Sequence, residues 1–312
     1  MRAIATAPAP IREPIWLTEF LDSLAREDLS PATVRGYRYD LRHFLAWHAT
    51  VQPDGFVLER LAEFDLIAYR QHMLAAGRRP ATVNRRLEAL RHLCRWARGN
   101  GMLRDNVALD LRPVRTTRDR QPAGLTDAEV HALLRAAGSS THGLAARNYA
   151  LVQVMLQAGL RVGEVAVLRI ADVTVGDRSG IVRVRHGKGL RAREVPLNAT
   201  ARRALKQYLA KRSDDSTASL FLSSRGGAMP VRSVQAVIAS LVRRARIKRV
   251  PASAHTLRHT FAHAYLHDHP GKLVELAALL GHDSLDTTAV YTRPSREDLA
   301  ADLERSHLNV DG

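Results

Sequence analysis

The sequence predicts a mainly α-helical protein of two domains, with one small antiparallel β-sheet in the second domain. Apolar residues recur at helical spacing through most of the 312 residues. A stretch rich in arginine, residues 105–123, lacks this periodicity and divides the helical sequence into two blocks, as a linker does. Two short strands are predicted at 180–185 and 191–196, joined by a glycine-containing hairpin tip.

The first block follows an Ala- and Pro-rich segment, residues 1–13, which we expect to be a flexible arm. Residues 14–104 predict a compact unit of four helices. Two of these helices start at the phrase Pro-Ala-Thr, which puts proline at the favoured first helical position. The first helix is expected to carry Ile15 to Leu24, and the second to run from the N-cap Ser30 to His48. The third and fourth are expected at about 65–76 and 80–99.

The second block, residues 124–312, predicts a mostly helical domain. It begins with a capping box, in which Thr126 is the N-cap and Glu129 follows three residues later. Helices are expected at about 126–137, 143–158, 161–167, 198–211, 231–245, 256–267, 272–280 and 286–291. After Pro294, Ser295 is expected to cap a tail helix whose leucines form a narrow apolar stripe.

The composition indicates a polyanionic partner and excludes several classes of protein. The net charge is +16, from 42 Arg and 5 Lys against 31 acidic residues, which favours nucleic acid binding. A GC-rich genome also explains the excess of Arg over Lys, but not the net charge. No stretch reaches the roughly 20 apolar residues that span a bilayer, and the N-terminus lacks a secretory signal. The single cysteine, Cys94, excludes an internal disulfide and fits a reduced cytoplasmic setting.

Four clusters in the second block carry residues suited to phosphate chemistry. They are GLRVGE with Arg161 and Glu164, the glycine-flanked Lys188, HTLRHTFAHAYLH with His255 and Arg258, and LLGHDSLDTTAVYT with His282 and Tyr291. Taken singly, each pattern is typical of a surface ion pair, a solvated turn, a helix face or a core tyrosine. In the third cluster four histidines recur at steps of four, which leaves a zinc site open as an alternative.

Together the clusters favour one chemistry. The arginines, the lysine and the histidines are donors that seek phosphate, and the Tyr291 hydroxyl is the good nucleophile among them. The second block has no plausible carboxylate cluster for Mg²⁺. A metal-free cationic site around one tyrosine suits transfer of a phosphodiester through a phosphotyrosine.

The order of these motifs strongly resembles the tyrosine recombinases, or phage-integrase family, and especially its Xer-like branch. The resemblance covers about residues 14–300. It implies a site-specific DNA recombinase that uses a 3′-phosphotyrosine intermediate and a Holliday junction, with no cofactor and no metal. Arg161 and Arg258 would clamp the phosphate, Lys188 would protonate the leaving 5′-oxygen, and Tyr291 would be the nucleophile.

The resemblance also implies supporting roles. His255 would help to deprotonate the nucleophile or hold the phosphate, and His282 would occupy a position filled by His or Trp. His259 and Glu164 would support the site. Two small departures are Gly163, where Ser is frequent in the family, and the loop LHDHPGKL, which is about one residue longer than in Xer proteins.

The resemblance further implies partners. Residues 14–104 would be a SAM-like core-binding domain, and the linker would let both domains clamp a double-stranded recombination site. The arginines expected to contact DNA are Arg35, Arg38, Arg85, Arg86 and Arg95. The protein is expected to form a homotetramer on synapsed DNA, to be monomeric or paired with a second recombinase otherwise, and to lie in the bacterial cytoplasm at the nucleoid. The tail helix either folds back on its own domain or docks on a neighbouring subunit.

Other readings remain open at this point. A family member used as a regulator would bind DNA without forming a covalent adduct. A metal-dependent nuclease using the histidine stripe would lose activity in excess EDTA. A type IB topoisomerase shares the chemistry, but the Xer-like first block disfavours it. Phage integration, transposon resolution and chromosome dimer resolution are equally compatible with the sequence.

Overall fold

A computed structural model describes residues 13–27, 29, 31–52, 54–115, 123–139, 143–185, 192–212, 217–282, 284–292 and 304. The predicted arm up to residue 12, the N-cap Ser30, the hairpin lysine Lys188 and the cap Ser295 lie outside the described residues. So does the tail helix, of which Glu304 alone is described. The chain divides into two compact units, residues 1–118 and 119–312.

The first unit has the predicted helices. Its described residues form α1 Ile15–Arg26, α2 Pro31–Val51, α3 Glu63–Ala75 and α4 Pro80–Gly99, with a short 3₁₀ turn at Leu58–Arg60. Helix α2 continues almost one turn beyond the predicted end. On α4 the predicted apolar face is at most 1% exposed, and it consists of Val83, Leu87, Leu90, Cys94 and Ala97. The helical period therefore located this core correctly.

Arg86 departs from its prediction. It was expected on an outward face of α4, but it is only 5% exposed. The reason is its spacing, since Arg86 lies three residues after Val83 and four before Leu90, on the apolar face itself. Nη1 of its guanidinium donates to Nε2 of His43 at 2.9 Å, and its Nε lies 3.7 Å from the Asp40 carboxylate. The outward placement of Arg86 was wrong, and its buried charge is balanced by Asp40.

Part of the predicted linker packs on the first unit. Ala108 and Leu111 are buried in the same core as α4. Asn84 of α4 holds Val114 by two hydrogen bonds, from Nδ2 to the carbonyl at 2.9 Å and from the amide to Oδ1 at 2.7 Å. Residues 105–115 of the predicted linker therefore belong to the packing of this unit.

The second unit contains helices packed around a small sheet. Its described helices are α5 Asp127–Gly138, α6 Ala145–Ala158, α7 Val162–Val167, α8 Ala199–Leu209, α9 Val231–Arg244, α10 Ala254–Asp268, α11 Leu273–Leu280 and α12 Asp286–Ala289. The predicted capping box is present at α5, where the Thr126 amide donates to Glu129 at 2.9 Å. Helix α6 is buried along nearly its whole length, so it is the central element of the unit.

The sheet has three described strands, β1 Val173–Val175, β2 Gly180–Val184 and β3 Arg193–Pro196, in the antiparallel order β1-β2-β3. Strand β1 was not predicted, because three residues are too few to show a period. Val182 pairs with Val173 on one side and with Val195 on the other, and its side chain enters the core. Strands β2 and β3 flank the predicted hairpin tip, so this packing anchors both ends of the segment that carries Lys188.

Candidate active site

The candidate residues come from four places in the second unit. Arg161 stands between α6 and α7, and α10 carries His255, Arg258 and His259. His282 follows the end of α11, and Tyr291 follows α12. Helix α6 ends at Gly159, whose φ is 60°, and a Cβ there would lie 2.3 Å from the Phe261 ring. Only glycine fits this turn, which brings Arg161 towards α10.

Arg258 is the most buried charge of the site. It is 1% exposed. Nη1 donates to the Gly159 carbonyl at 2.7 Å, and Nη2 donates to the Leu280 carbonyl at 2.7 Å and to Nε2 of His282 at 2.8 Å. Among the described residues, Arg258 makes hydrogen bonds to these neutral acceptors and to no carboxylate. Burial, followed by the charge of Arg161, lowers its pKa to about 10, so it is still a cation at neutral pH.

Arg161 is held by a carboxylate and a helix end. Its Nη1 lies 3.0 Å from Oε1 of Glu164, and its backbone amide donates to the other carboxylate oxygen at 2.7 Å. Its Nη2 donates to the Gly281 carbonyl at 3.0 Å. About a third of the side chain is exposed, so the guanidinium is fixed at its edges and open on one side.

Glu164 is buried between two arginines. Arg193 of β3 donates to both carboxylate oxygens at 2.9 Å. Burial by itself raises the pKa of Glu164, but the bonds from Arg193 and Arg161 outweigh this and hold the pKa below its ordinary value. Glu164 is therefore a carboxylate at neutral pH. Its ion pair with Arg161 is part of a network that also includes Arg193.

His282 is oriented by partners on both ring nitrogens. Arg258 donates to Nε2, so Nε2 is the acceptor of the ring. Nδ1 lies 2.8 Å from Oγ1 of Thr288, which is fully buried. A neutral imidazole with its proton on Nδ1 satisfies both contacts. Thr288 thus orients His282, a role that sequence reasoning missed.

Tyr291 is buried, and its hydroxyl contacts a histidine. The hydroxyl lies 2.7 Å from Nδ1 of His259. Burial raises the pKa of Tyr291 above its ordinary value, against the opposing effect of Arg258 and Arg161. Burial, together with His255, His263 and Arg258, lowers the pKa of His259 to about 4. At neutral pH the tyrosine is protonated, and His259 is a neutral partner that orients the hydroxyl but is a weak base.

His255 lines the open side of the site. A cavity of about 420 Å³ is bounded by Arg161, Glu164, His255 and Arg258. The rings of His255 and His259 are 4.3 Å apart between centroids, so His259 stands between His255 and the tyrosine. Burial, followed by the charges of Arg258 and Arg161, lowers the pKa of His255, which makes it a neutral donor or acceptor at this cavity.

The predicted site residues thus converge, with two additions. Arg161, Glu164, Arg258 and His282 are linked through the end of α11, and His259 contacts Tyr291. Lys188 cannot be placed, because it lies outside the described residues. Arg193 is not among the site residues predicted from the sequence. The available signal was its strand position, since Arg193 has the same parity as the buried Val195 and therefore faces inward.

One alternative raised by the sequence, a zinc site on the histidine stripe, can be compared with the structure. Among the described residues, no group of three or more His, Cys, Asp or Glu side chains is arranged to hold a metal ion. The histidine stripe on α10 instead supplies His259 to the tyrosine and His255 to the cavity. Within the described ranges, no helix is long and apolar enough to cross a membrane.

Comparisons with known proteins give the family of the chain. Residues 124–298 match the Phage integrase family, and residues 17–101 match the Phage integrase, N-terminal SAM-like domain. The chain is 34% identical over 308 residues to the tyrosine recombinase XerD of Ralstonia nicotianae, which covers 94% of both chains. It is 36% identical over 312 residues to the tyrosine recombinase XerC of a Methylobacterium species, covering 96% of this chain and 94% of XerC.

A solved structure shares the fold. The site-specific recombinase XerH, bound to its palindromic difH substrate after cleavage, has a TM-score of 0.73 and 20% identity, over 93% of this chain and 94% of XerH. The family matches, and the two recombinases that are 34% and 36% identical over nearly the whole chain, show the family. The chain belongs to the phage integrase family, and it is a tyrosine-type, Xer-like site-specific recombinase that cleaves and rejoins DNA.

Proposed function

We propose that the chain recombines DNA through a 3′-phosphotyrosine on Tyr291 and a Holliday junction, without cofactor or metal. The observation that carries this proposal is the state of Arg258. A guanidinium that is 1% exposed and bound to carbonyls and a neutral histidine keeps its full positive charge. An isolated buried cation is costly, so the site is built to receive an anion. The neighbouring cavity, with Arg161 on its wall, suits a DNA phosphate.

The proposed chemical step exchanges one phosphate ester for another. The Tyr291 oxygen attacks the scissile phosphorus, a P–O bond to tyrosine forms, and the bond to the 5′-oxygen breaks. The Tyr291 hydroxyl passes its proton during attack to Nδ1 of His259, which lies 2.7 Å away, and Lys188 supplies a proton to the departing 5′-oxygen. Because an ester replaces an ester, a 5′-hydroxyl from the partner strand rejoins the DNA by the reverse step with no energy donor.

The surrounding residues have separate roles in this proposal. Arg161 and Arg258 stabilise the extra charge on the pentacoordinate phosphate. His259 orients the nucleophile, while His255 contacts the phosphate from the opposite wall of the cavity. His282 keeps Arg258 in place and receives its own orientation from Thr288.

Each unit is proposed to contact the duplex. In the first unit, α2 carries the exposed Arg35 and Arg38, and α4 carries the exposed Arg85 and Arg95. These four arginines are proposed as contacts to the DNA backbone or grooves. Arg86 is left out of the set because it is buried. We propose a DNA-binding unit over residues 14–115, a short connection to 123, and a catalytic domain over 124–312.

The active assembly is proposed to be a homotetramer that holds two duplexes in the bacterial cytoplasm. An apolar cavity of about 680 Å³ on the second unit is lined by Val130, Leu156, Phe261, Tyr265 and Leu279, among others. The tail helix predicted from the sequence, with Leu299 and Leu303 on one apolar stripe, is proposed to occupy this cavity on a neighbouring subunit. A tail donated to the next subunit makes a heterologous contact, which closes into a ring.

The direct test is covalent capture of the DNA. A suicide substrate, nicked beside the scissile phosphate, traps the phosphotyrosine adduct, which a denaturing gel resolves. Wild-type protein should form the adduct in excess EDTA, and Tyr291→Phe should bind the same DNA without forming it. A persistent adduct in Tyr291→Phe would show that another residue is the nucleophile. Cleavage that forms no adduct and is abolished by EDTA would favour a metal nuclease.

A further inference from the structure

Three consecutive carbonyls at the end of α11 each accept from a different arginine. Leu279 accepts from Nε of Arg193 at 2.9 Å, Leu280 from Arg258 at 2.7 Å, and Gly281 from Arg161 at 3.0 Å. These carbonyls stand at a helix C-terminus, where they lack partners within the helix and carry the negative end of the dipole. The end of α11 therefore sets the spacing of Arg161 and Arg258, the two arginines proposed to bind phosphate. Arg193 is the third arginine that donates to it.

Arg193 differs from the other two arginines in its partners. All three of its guanidinium nitrogens are engaged, two by the carboxylate of Glu164 and one by the Leu279 carbonyl. Its side chain is 12% exposed, compared with 33% for Arg161. With its fork occupied on both sides, Arg193 is not placed to contact a phosphate directly. It can act on the reaction only through the groups that it holds.

We infer that Arg193 is a positioning residue for strand cleavage. It fixes Arg161 through Glu164, and through the Leu279 carbonyl it fixes the turn after α11 that carries His282. The inference rests on the proposed phosphate site at Arg161 and Arg258. Gly281 supports it, because a Cβ at this position would lie 2.8 Å from Nη1 of Arg193. The loop thus passes directly against the guanidinium. Arg193 also ties β3, the strand that follows the predicted hairpin tip in the chain, to the proposed phosphate site.

The charge balance gives Arg193 a second effect on the site. Arg161, Arg193 and Arg258 with Glu164 carry a net charge of +2, which matches a pentacoordinate phosphate with two negative charges. Without Arg193 the net charge is +1, because the negative charge of Glu164 then cancels the positive charge of Arg161. The carboxylate then opposes the incoming phosphate. Removing Glu164 as well restores +2, so the two substitutions should compensate each other.

The experiment compares four full-length variants, Arg193→Gln, Glu164→Gln, their double variant and Arg202→Gln, in single-turnover cleavage of the suicide substrate at saturating protein. Arg202 is the matched control, because it is also an incompletely exposed arginine and donates to the backbone carbonyls of Leu197 and Asp177, away from the site. Half-site gel shifts and thermal melting accompany each rate.

Arg193→Gln should cleave about 10–10²-fold more slowly, the range expected when a positioned group shifts by about 1 Å. Half-site binding should stay within about threefold, and Arg202→Gln should cleave like the wild type. The double variant should cleave at least as fast as Arg193→Gln. A double variant whose defect equals the product of the two single defects would show independent structural roles and overturn the inference.

Arg193→Lys keeps a cation beside Glu164 and serves if Arg193→Gln does not fold. One ammonium nitrogen cannot serve both carboxylate oxygens and the Leu279 carbonyl, so cleavage should still be slowed. If Arg193→Lys and Arg193→Gln both cleave at the wild-type rate while Tyr291→Phe is inactive, the positioning role of Arg193 is rejected and the proposed function stands. An active Tyr291→Phe would instead reject the proposed function.

Discussion

Replacement of Arg258 by lysine keeps one positive charge but removes the geometry of the phosphate site. The guanidinium spans two segments, with Nη1 at 2.7 Å from the Gly159 carbonyl and Nη2 at 2.7 Å from the Leu280 carbonyl. Nη2 also holds His282 at 2.8 Å. A lysine presents all its donors from one nitrogen, so it cannot reach both carbonyls and still face the phosphate. Arg258→Lys therefore loses the fork, while the carbonyls and His282 lose a shared partner.

The structure sets the size and pH dependence of this defect. Loss of one positioned donor to a developing charge costs about 10²–10³-fold in rate. Burial and Arg161 lower the pKa of Arg258 to about 10, which still leaves arginine charged. The ordinary pKa of lysine is about 2 units below that of arginine, so the same surroundings bring it closer to neutrality. Because the protonated cation is the active form, the residual rate of Arg258→Lys should fall further as the pH rises from about 7 to 9.

The assay is single-turnover cleavage of the suicide substrate at saturating protein across this pH range. The quantity compared is the ratio of the variant rate to the wild-type rate, which cancels titration of groups common to both. Half-site gel shifts and thermal melting report binding and folding of the variant. A rate within tenfold of wild type, or a ratio that does not change with pH, would refute the reasoning from the buried fork.

The other predictions concern the leaving group, DNA binding and assembly. Lys188→Ala should cleave normal DNA slowly and should be largely rescued by a 5′-bridging phosphorothiolate, which departs without a proton; equal defects on both substrates would remove Lys188 from the proton-donor role. Arg85→Gln should weaken half-site binding and lower the slope of log affinity against log salt by about 1. Arg86→Gln should instead lower the melting temperature, because it removes a buried cation that lies 3.7 Å from Asp40 and contacts His43, while Asp40 keeps its ion pair with Arg85; equal effects of both substitutions on the salt slope would contradict this division. Deletion of residues 296–312 should leave half-site binding intact but reduce cooperative filling of the full site and abolish recombination, and unchanged cooperativity in gel-shift titration would reject tail docking on a neighbour.

Local sequence signals were sufficient for most of the fold. The Pro-Ala-Thr starts, the Thr126 capping box and the helical period act over a few residues, and the structure confirmed the helices that they predicted. The burial of Arg86 could also be predicted from its spacing, since its distance from Val83 and Leu90 places it on the buried face, but its charge suggested an exposed position. The packing of residues 105–115 was hidden, because Ala108 and Leu111 form no regular period.

The sequence motifs also indicated which arginines, histidines and tyrosine belong to the candidate site. Only the tertiary structure decided which of them touch. The hydrogen bonds that build the site join Arg193 to Leu279, Arg258 to Gly159 and Arg161 to Gly281, across 86, 99 and 120 residues. The contact of Tyr291 with His259 rather than His255 depends in the same way on how α10 meets the end of the chain that carries the tyrosine. A periodic pattern specifies which side of a helix is buried, but the partner of a buried donor depends on how separate elements pack, and no local pattern contains that information.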